Sequence, residues 1–519
     1  MTDQFKKEIT EGYTFKGKSI SMGTAMLNGE AVPETVVKVP LKTFNRHGLI
    51  AGATGTGKTK TLQNIAERLS ENGVGVLMMD FKGDLSGIAK KGEHNKHIDK
   101  RHELMGEPWQ ATEYPVELFS LSEQDGVRLR ATVSEFGPVL FSKILGTNET
   151  QEGIISIIFK YCDDNDLPLL DLKDFRKVLQ YVSTDAKKEI EAEYGFISPT
   201  SVGAIMRKMV ELESQGGELF FGEKSFEVED LTRVDKNGFG YVNIVRLTDI
   251  QDKPKLFSTF MLCLLAEVYE KFPEAGDQEK PELVIFIDEA HLVFNEASDA
   301  LLDQIEAIIK LIRSKGVGIF FCTQSPSDIP SSVLGQLGMK FQHALRAFTA
   351  KDRKTIKMVA ENYPITDYYQ VDQTLTQLGI GEAFITVLNE KGIPTPLVHT
   401  LLRGPASRMD VISEKEKNEL LNNSLLAERY NQEIDRESAY ELLNAKIDKA
   451  REAQEREKEL EERAKSRSSS TSSSRSTRSR RSQKSTLESI MSNTTTRQIG
   501  RTIARELTRG LLGILGVKR

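Results

Sequence analysis

Short apolar runs alternate with amphipathic helical stretches between residues 47 and 404. Runs of this kind are typical of buried strands, and strands that alternate with helices form parallel sheets. We therefore predict an α/β fold with a mostly parallel, doubly wound sheet. The predicted strands are Leu49–Ala51, the run from Val74 through Met79, Tyr241–Val245, Leu283–Ile287, Val317–Cys322, Phe341–Ala347 and Ala383–Leu388.

The alternation is interrupted once, and it stops near Pro405. Residues 134–232 carry apolar positions at helical spacing, which predicts a helical insertion. The core is thus expected in two parts, 47–133 and 233–404, after an N-terminal strand and turn segment at 1–46. A charged helical region is predicted for 405–463, because its last part is almost entirely charged residues and Ala.

The net charge of −6 hides a strongly basic C-terminal part, in which residues 464–519 hold 13 Lys and Arg against 2 Asp and Glu. The acidic remainder gives no general argument for nucleic-acid binding. Residues 464–484 form a Ser/Arg tract, for which we predict a disordered linker. In 485–519, basic and apolar residues alternate at a spacing that predicts a cationic amphipathic helix, with Arg497, Arg501, Arg505 and Arg509 opposite Ile499, Ile503, Leu507 and Leu511.

Cysteine and hydropathy restrict the class of protein. Cys162, Cys263 and Cys322 lie far apart in the sequence, which excludes a disulfide scaffold and suits a reducing cytosol. No uncharged apolar run reaches 18 residues, so no transmembrane segment is expected. We predict a cytoplasmic protein.

The strongest chemical signal follows the first core strand and matches GxxxxGK[ST] in full. Glycines let the backbone amides of such a loop point inward at phosphate oxygens, and the following helix adds a positive N-terminus. This pattern predicts a site for ATP, with Lys58 reaching the outer phosphates and Thr59 binding Mg²⁺. Its residues are Gly52, Ala53, Thr54, Gly55, Thr56, Gly57, Lys58 and Thr59.

Two carboxylates end the apolar run Leu283–Ile287. Ligands of open α/β sheets bind at the carboxyl ends of the strands. Asp288 is therefore predicted to hold Mg²⁺, and Glu289 to polarise the attacking water.

A polar pair, Thr323 and Gln324, ends the next apolar strand. Gln324 could contact the γ-phosphate or orient the water, and the alternative is an ordinary turn residue. Asp80 and Asp84 end the strand that follows the helix after the phosphate loop. They could lie near the nucleotide, and an equal alternative is that they are simply solvated loop residues. Arg313 and Arg346 are candidates for an arginine supplied to a neighbouring subunit, and each could instead form a surface ion pair.

The letters DEAH at Asp288–His291 suggest a superfamily-2 helicase. Such helicases need a second RecA-like domain, and no strand-rich stretch follows Pro405. Their QRxGRxGR motif is also absent at the required spacing, so we reject this interpretation.

The ordered set of motifs resembles the HerA/FtsK-type ATPases, and within them the bacterial YjgR-like, HerA-helicase-like proteins. The resemblance spans about residues 15–402. It includes Pro40–His47 before the phosphate loop, the IDEAH run, Gly316–Gly318 with Thr323–Ser327, and Val333–Leu337 with Ala344–Arg346. It implies a RecA-like P-loop NTPase core, ATP and Mg²⁺ as ligands, a homo-hexameric ring and movement along duplex DNA. Lys58 and Thr59 match the family's Walker A loop, Asp288 and Glu289 its Walker B pair, and Gln324 its strand-end sensor.

Two functions remain in view. The first is an oligomeric ATP-hydrolysing motor that acts on DNA. The second is a nucleotide-switched scaffold ATPase, whose basic C-terminal helix binds a protein partner or an acidic membrane surface.

Overall fold

The computed structural model describes residues 2–276, 278–294, 299–432, 434 and 436–468, and within these the side chains of 299–301 and 463–468 are left out. The prediction for the Ser/Arg linker, apart from its residues 464–468, and the prediction for 485–519 fall outside the described residues. By Cα packing the chain divides into two units. The first contains residues 1–131, 214–220 and 224–433, and the second contains 132–213, 221–223 and the described residues from 434 onward.

The first unit is built around one mixed sheet. Its strands are β1 (Ser19–Leu27), β2 (Glu30–Pro40), β3 (Gly48–Ala51), β4 (Gly75–Asp80), β5 (Val116–Ser120), β6 (Val127–Arg128), β7 (Val242–Arg246), β8 (Leu283–Ile287), β9 (Val317–Thr323), β10 (Met339–Gln342), β11 (Glu382–Thr386) and β12 (Val398–Leu402).

The helices are distributed over both units. In chain order they are α1 (Thr2–Gly12), α2 (Lys58–Glu71), α3 (Lys96–Met105), α4 (Val133–Leu145), α5 (Glu149–Asp164), α6 (Leu172–Ser183), α7 (Lys187–Glu193), α8 (Pro199–Ser214), α9 (Gly217–Phe220), α10 (Pro254–Lys271), α11 (His291–Phe294), α12 (Asp299–Leu311), α13 (Ser331–Leu334), α14 (Ala350–Glu361), α15 (Val371–Gln377), α16 (Glu414–Asn422), α17 (Leu425–Tyr430) and α18 (Ala439–Ser468). Short 3₁₀ helices lie at Leu41–Arg46, Ser86–Ala89, Val228–Thr232, Ile312–Lys315 and Pro326–Asp328.

The strand order across the sheet is β2-β1-β12-β11-β10-β3-β9-β8-β4-β7-β5-β6. All neighbours from β10 to β6 are parallel. The other strands, β11, β12, β1 and β2, continue the sheet in antiparallel pairs. The central strands β3, β4, β8 and β9 are buried at every position, as expected for parallel strands covered on both faces. The α/β prediction with a mostly parallel sheet is confirmed.

The N-terminal segment differs from the strand and turn prediction, because it begins with helix α1. Phe5, Ile9 and Tyr13 recur every four residues and are fully or almost fully buried. The Tyr13 hydroxyl donates hydrogen bonds to the carbonyl oxygens of Ile385 and Pro396. The helix is thus fixed by packing on β2, which is near it in sequence, and by the Tyr13 hydrogen bonds to residues near the C-terminal end of the sheet-forming chain.

Other strand predictions need correction. The predicted strand Phe341–Ala347 ends at Gln342, because the chain then turns toward the loop after β3. The strands β5, β6 and β12 were not predicted.

The second unit consists of helices in its described part. The backbone amide of Tyr440 on α18 donates to Asp174 on α6, and that of Ala439 donates to the Pro168 carbonyl. The segment predicted as one charged helical region, 405–463, is therefore divided: α16 and α17 belong to the first unit and α18 to the second.

Candidate functional site

The loop Gly52–Gly57 connects β3 to α2 and depends on glycine at three positions. Gly52, Gly55 and Gly57 have φ angles of 154°, 78° and 104°, which residues other than glycine rarely adopt. Gly52 also has no room for a side chain, since a Cβ atom there would lie 2.5 Å from the Cβ atom of His343. The loop can therefore curl tightly only with these glycines.

The loop is held by the two strands beside β3. The amide of Gly52 donates to the carbonyl oxygen of Thr323, the last residue of β9, at 3.2 Å. The amide of Ala53 donates to the Ala344 carbonyl oxygen, just beyond β10, at 2.8 Å. Thr54 and Gly55 at the tip stay exposed. The base of the loop is thus fixed while its tip is free to contact a ligand.

Lys58 and Thr59 occupy the first turn of α2. The Lys58 ammonium is buried and donates to the carbonyl oxygens of Gly52 and Ala53 at 2.6 and 3.1 Å. Burial lowers the pKa of Lys58 from its ordinary value. The half-buried Thr59 lies beside it. The positive N-terminus of a 14-residue helix and an ammonium group therefore meet at one point, which suits an anion.

Asp288 and Glu289 follow β8 directly. The Asp288 side chain is 3% exposed and that of Glu289 is 13% exposed. Glu289 has φ 46°, a left-handed conformation that is uncommon for residues with a side chain. The backbone therefore turns sharply where the two carboxylates leave the strand.

The register of the sheet brings the glycine loop and the acidic pair to the same edge. Ala51 of β3 is paired with Thr323 of β9, and Ile287 of β8 with Phe321 of the same strand. All three strands are parallel neighbours, so the residues after each of them share the carboxyl edge. Between them lies Cys322, and burial together with the nearby charge of Asp288 raises the pKa of its thiol well above the ordinary value.

Gln324 leaves β9 at this edge and is exposed. Its neighbours are fixed, because the hydroxyl of Thr323 and the amide of Ser325 both donate to Asp328, at 2.5 and 3.0 Å. The Gln324 side chain thus extends from a rigid turn toward solvent.

The donor set fits a magnesium ion. Asp288 Oδ2 and Glu289 Oε2 are buried oxygens that accept no hydrogen bond from the described residues. The cationic or titratable groups beside them are Lys82 Nζ, 3.5 Å from Asp288 Oδ2, and His291 Nδ1, 3.4 Å from Glu289 Oε2. Buried oxygens without a hydrogen bond commonly mark the place of a ligand. No group of three or more His, Cys, Asp or Glu is arranged for a metal within the described ranges. Mg²⁺ needs few protein ligands, because water and nucleotide phosphates complete its octahedron.

The chain matches the family described as helicase HerA-like, C-terminal, over residues 26–519. The chain belongs to the HerA-like helicase family. It is 24% identical over 370 residues to the DNA double-strand break repair helicase HerA of Sulfurisphaera tokodaii, covering 70% of this chain and 67% of that protein. HerA of Sulfolobus acidocaldarius is 20% identical over 380 residues, 72% of this chain and 68% of the relative.

Solved structures give the fold. The plasmid coupling protein TrwB, in complex with the ATP analogue ADPNP, has a TM-score of 0.51 at 15% identity and covers 78% of this chain and 95% of its own. TrwB with ADP and Mg²⁺ has a TM-score of 0.50 at 15% identity and covers 78% and 94%. This HerA-like protein therefore has the RecA-like P-loop fold. Placement within a YjgR-like subgroup stays a prediction. Within the described residues no helix is long and apolar enough to cross a membrane.

The two candidate arginines of this HerA-like protein lie at opposite sheet edges. Arg313 precedes β9, at the amino edge, and lines a cavity of about 530 Å³ together with Arg46 and Lys310. Arg346 follows β10 at the carboxyl edge and donates to the Thr376 carbonyl oxygen at 3.2 Å. Both side chains are exposed. Neither arginine takes part in the ion pairs of the described residues, and the role of each stays a prediction.

Asp80 is a turn-forming residue. Its carboxylate accepts hydrogen bonds from the amides of Gly83, Asp84 and Leu85. Burial, together with the charge of Asp84, raises the pKa of Asp80 to about 6. The turn presents Lys82, whose ammonium lies 2.5 Å from the Glu289 carboxylate. Lys82 was not predicted from the sequence, in which only the neighbouring carboxylates Asp80 and Asp84 were considered.

His343 was also missed. Its ring is fully buried under the glycine loop, and Nε2 lies 2.9 Å from the Thr61 hydroxyl. Burial, reinforced by the charge of Lys58, lowers the pKa of His343 to about 4. A neutral, buried imidazole thus packs against the glycine loop and contacts the first turns of α2 through Thr61.

A strap formed by residues 403–409 covers α2. Four polar side chains on one face of the helix, at spacings of three and four residues, bind the strap. Three of these side chains donate hydrogen bonds to the strap: Lys60 to Met409, Gln63 to Ser407 and Arg408, and Asn64 to Arg403 and Gly404. The fourth, Glu67, accepts hydrogen bonds from Ala406 and Ser407. The helix that carries Lys58 is therefore fixed on its outer side as well.

Proposed function

We propose that this protein is an oligomeric ATP-hydrolysing motor of the HerA type that acts on duplex DNA. The observation that carries the proposal is the convergence of the glycine loop, the acidic pair and Gln324 at the ends of three adjacent parallel strands. Membership of the HerA-like family and the fold shared with nucleotide-bound TrwB support it.

In this proposal the loop Gly52–Thr59 binds the phosphates of ATP. Its amides and the N-terminus of α2 supply donors, and Lys58 moves from the loop carbonyls to the outer phosphates. Thr59 and Asp288 would hold Mg²⁺, which neutralises phosphate charge when bound. These contacts orient the nucleotide at the sheet edge.

Glu289 is proposed to accept the proton of the attacking water, which a buried carboxylate next to the metal ligand can do. Gln324 would orient the same water or contact the γ-phosphate through its amide. An amide can do so without competing for the metal.

A neighbouring subunit is proposed to complete the site with an arginine. Arg313 lies on the edge opposite its own glycine loop, so it can act only on another subunit. Arg346 lies on the same edge as its own loop and could act in either way. We propose a homo-hexamer, as the family resemblance implies.

The second function, a nucleotide-switched scaffold with a protein partner or membrane surface, depends on 485–519, which lies outside the described residues. A cytoplasmic location likewise stays a prediction. The motor is therefore the function we put to the test.

The test is the rate of ATP hydrolysis by the full chain with and without long duplex DNA, at several salt concentrations, alongside the mass of the particle in ATP. We expect DNA to raise the rate, most strongly at low salt, because phosphate contacts weaken as salt rises. The Lys58→Ala variant is the control for contaminating activity. A rate that duplex DNA leaves unchanged at every salt concentration would refute the action on DNA.

A further inference from the structure

Lys82 is held in a turn with little freedom. Asp80 ends β4, and its carboxylate accepts three successive backbone amides, those of Gly83 at 2.7 Å and of Asp84 and Leu85 at 3.3 Å. Gly83 has φ 75°, which closes the turn. These contacts fix the backbone on the C-terminal side of Lys82.

The N-terminal side is fixed by Phe81. Its ring is 1% exposed and packs edge-on against Phe257, with the ring centroids 4.8 Å apart. Its carbonyl oxygen accepts a hydrogen bond from Gln251 at 2.6 Å. With both flanks anchored, Lys82 is directed by the fold and does not depend on a chance surface contact.

The side chain of Lys82 extends over the acidic pair. Its ammonium lies 2.5 Å from Glu289 Oε1 and 3.5 Å from Asp288 Oδ2, and 39% of the side chain is exposed. The carboxylates are far less exposed than the lysine that covers them. Lys82 therefore closes the acidic pair on the solvent side.

The ammonium of Lys82 and a metal ion would share one oxygen atom, Asp288 Oδ2. Asp288 Oδ2 has Lys82 at 3.5 Å and accepts no hydrogen bond from a described residue. Asp288 is also the carboxylate predicted to hold Mg²⁺. A metal ion and an ammonium group carry like charges and repel each other, so a metal ion bound to Asp288 weakens the attraction of Lys82 to the acidic pair.

We propose that Lys82 is a positioning residue of the hydrolysis site, which bridges Glu289 and Asp288 and moves away when a divalent metal ion binds. This inference rests on the proposed function for the role of the two carboxylates. It adds that Lys82 competes with the metal ion for the acidic pair.

The test is a titration of the full chain with Mn²⁺, first alone and then with saturating ADP, followed by the electron paramagnetic resonance signal of free Mn²⁺. The Lys82→Met variant removes the charge and keeps the length of the side chain. We expect it to bind Mn²⁺ about fivefold more tightly than the natural protein, as for loss of a partly exposed ion pair. The Lys82→Arg variant should retain the natural affinity.

One control tests whether the position of the lost charge matters. The others distinguish failure of this inference from failure of the proposed function. Lys100→Met removes the same charge from an exposed site on α3 and should leave Mn²⁺ affinity unchanged. Equal or weaker Mn²⁺ binding by Lys82→Met, in a protein whose ATP hydrolysis depends on Lys58, would overturn the role of Lys82 alone. Absence of Mn²⁺ binding in every variant, with or without ADP, would overturn the nucleotide site together with it.

Discussion

Replacing Glu67 by Gln should loosen the strap from the helix that follows the phosphate loop. The Glu67 carboxylate is fully buried and accepts from the amides of Ala406 and Ser407 at 2.8 and 3.0 Å, and from the Ser407 hydroxyl at 2.5 Å. Gln keeps one oxygen but places an NH₂ group against one of these donors. One hydrogen bond is then lost and a buried amide is left unpaired, which costs about 1–3 kcal/mol.

Two further effects oppose each other in this variant. The remaining hydrogen bonds lose the assistance of a charge, which weakens them. Burial raises the pKa of Glu67, however, so a neutral side chain relieves part of a desolvation cost. We therefore expect a net loss of about 2 kcal/mol in the free energy of opening the strap, an increase of roughly 30-fold in its open population.

Hydrogen exchange of a peptide that contains Ala406 and Ser407 measures this opening directly. Its amides should exchange roughly 30-fold faster in Glu67→Gln than in the natural protein. The matched control is Glu71→Gln, one turn further along α2, where the carboxylate contacts Arg68 and Tyr114 and not the strap. Unchanged exchange in Glu67→Gln, or an equal increase in both variants, would refute the reasoning.

Two further predictions concern His343 and the arginines. Burial lowers the pKa of His343 to about 4 from an ordinary 6.5, so below pH 6.5 the unfolded chain takes up a proton that the folded chain does not. The free energy of unfolding should therefore fall as the pH drops, by about 2 kcal/mol at pH 5. In the His343→Asn variant, which cannot take up this proton, the difference in unfolding free energy between pH 7 and pH 5 should be smaller by this amount. An equal difference in both proteins would contradict the burial argument. For Arg313 and Arg346, mixing Arg→Ala subunits with natural subunits should lower ATP hydrolysis more than in proportion to their fraction if the arginine acts on a neighbour, and a linear decline would argue against it.

The central strands and the phosphate loop could be predicted because their signals are local. Leu283–Ile287 is a continuous apolar run, and every one of its residues is buried. The glycines of the loop are required by the backbone itself, with Gly52 and Gly57 at positive φ. Such constraints depend on a few neighbouring residues and can be recognised without knowledge of the fold.

Contacts between distant segments could not be predicted in this way. Lys82 lies in a polar turn, and only the pairing of β4 with β8 brings it to Glu289, about 200 residues later in the sequence. His343 falls inside the predicted strand Phe341–Ala347, but the observed strand β10 ends one residue before it, at Gln342.

Short or irregular elements were missed for a related reason. Strand β5 includes Glu117, a buried carboxylate that pairs with Arg233, so its apolar pattern is interrupted. Helix α1 is short and polar overall, and it is stabilised by the burial of Phe5 and Ile9. In both cases tertiary packing decides the structure, and local propensity does not.

The most direct test of the central claim, that the glycine loop and the acidic pair form one site for ATP, is binding and hydrolysis measured on the Glu289→Gln variant. We predict that this variant binds ATP as tightly as the natural protein and hydrolyses it at least a hundredfold more slowly, since general-base catalysis contributes about 10²–10⁴-fold. Hydrolysis at the natural rate would contradict it, because Glu289 would then have no part in the reaction.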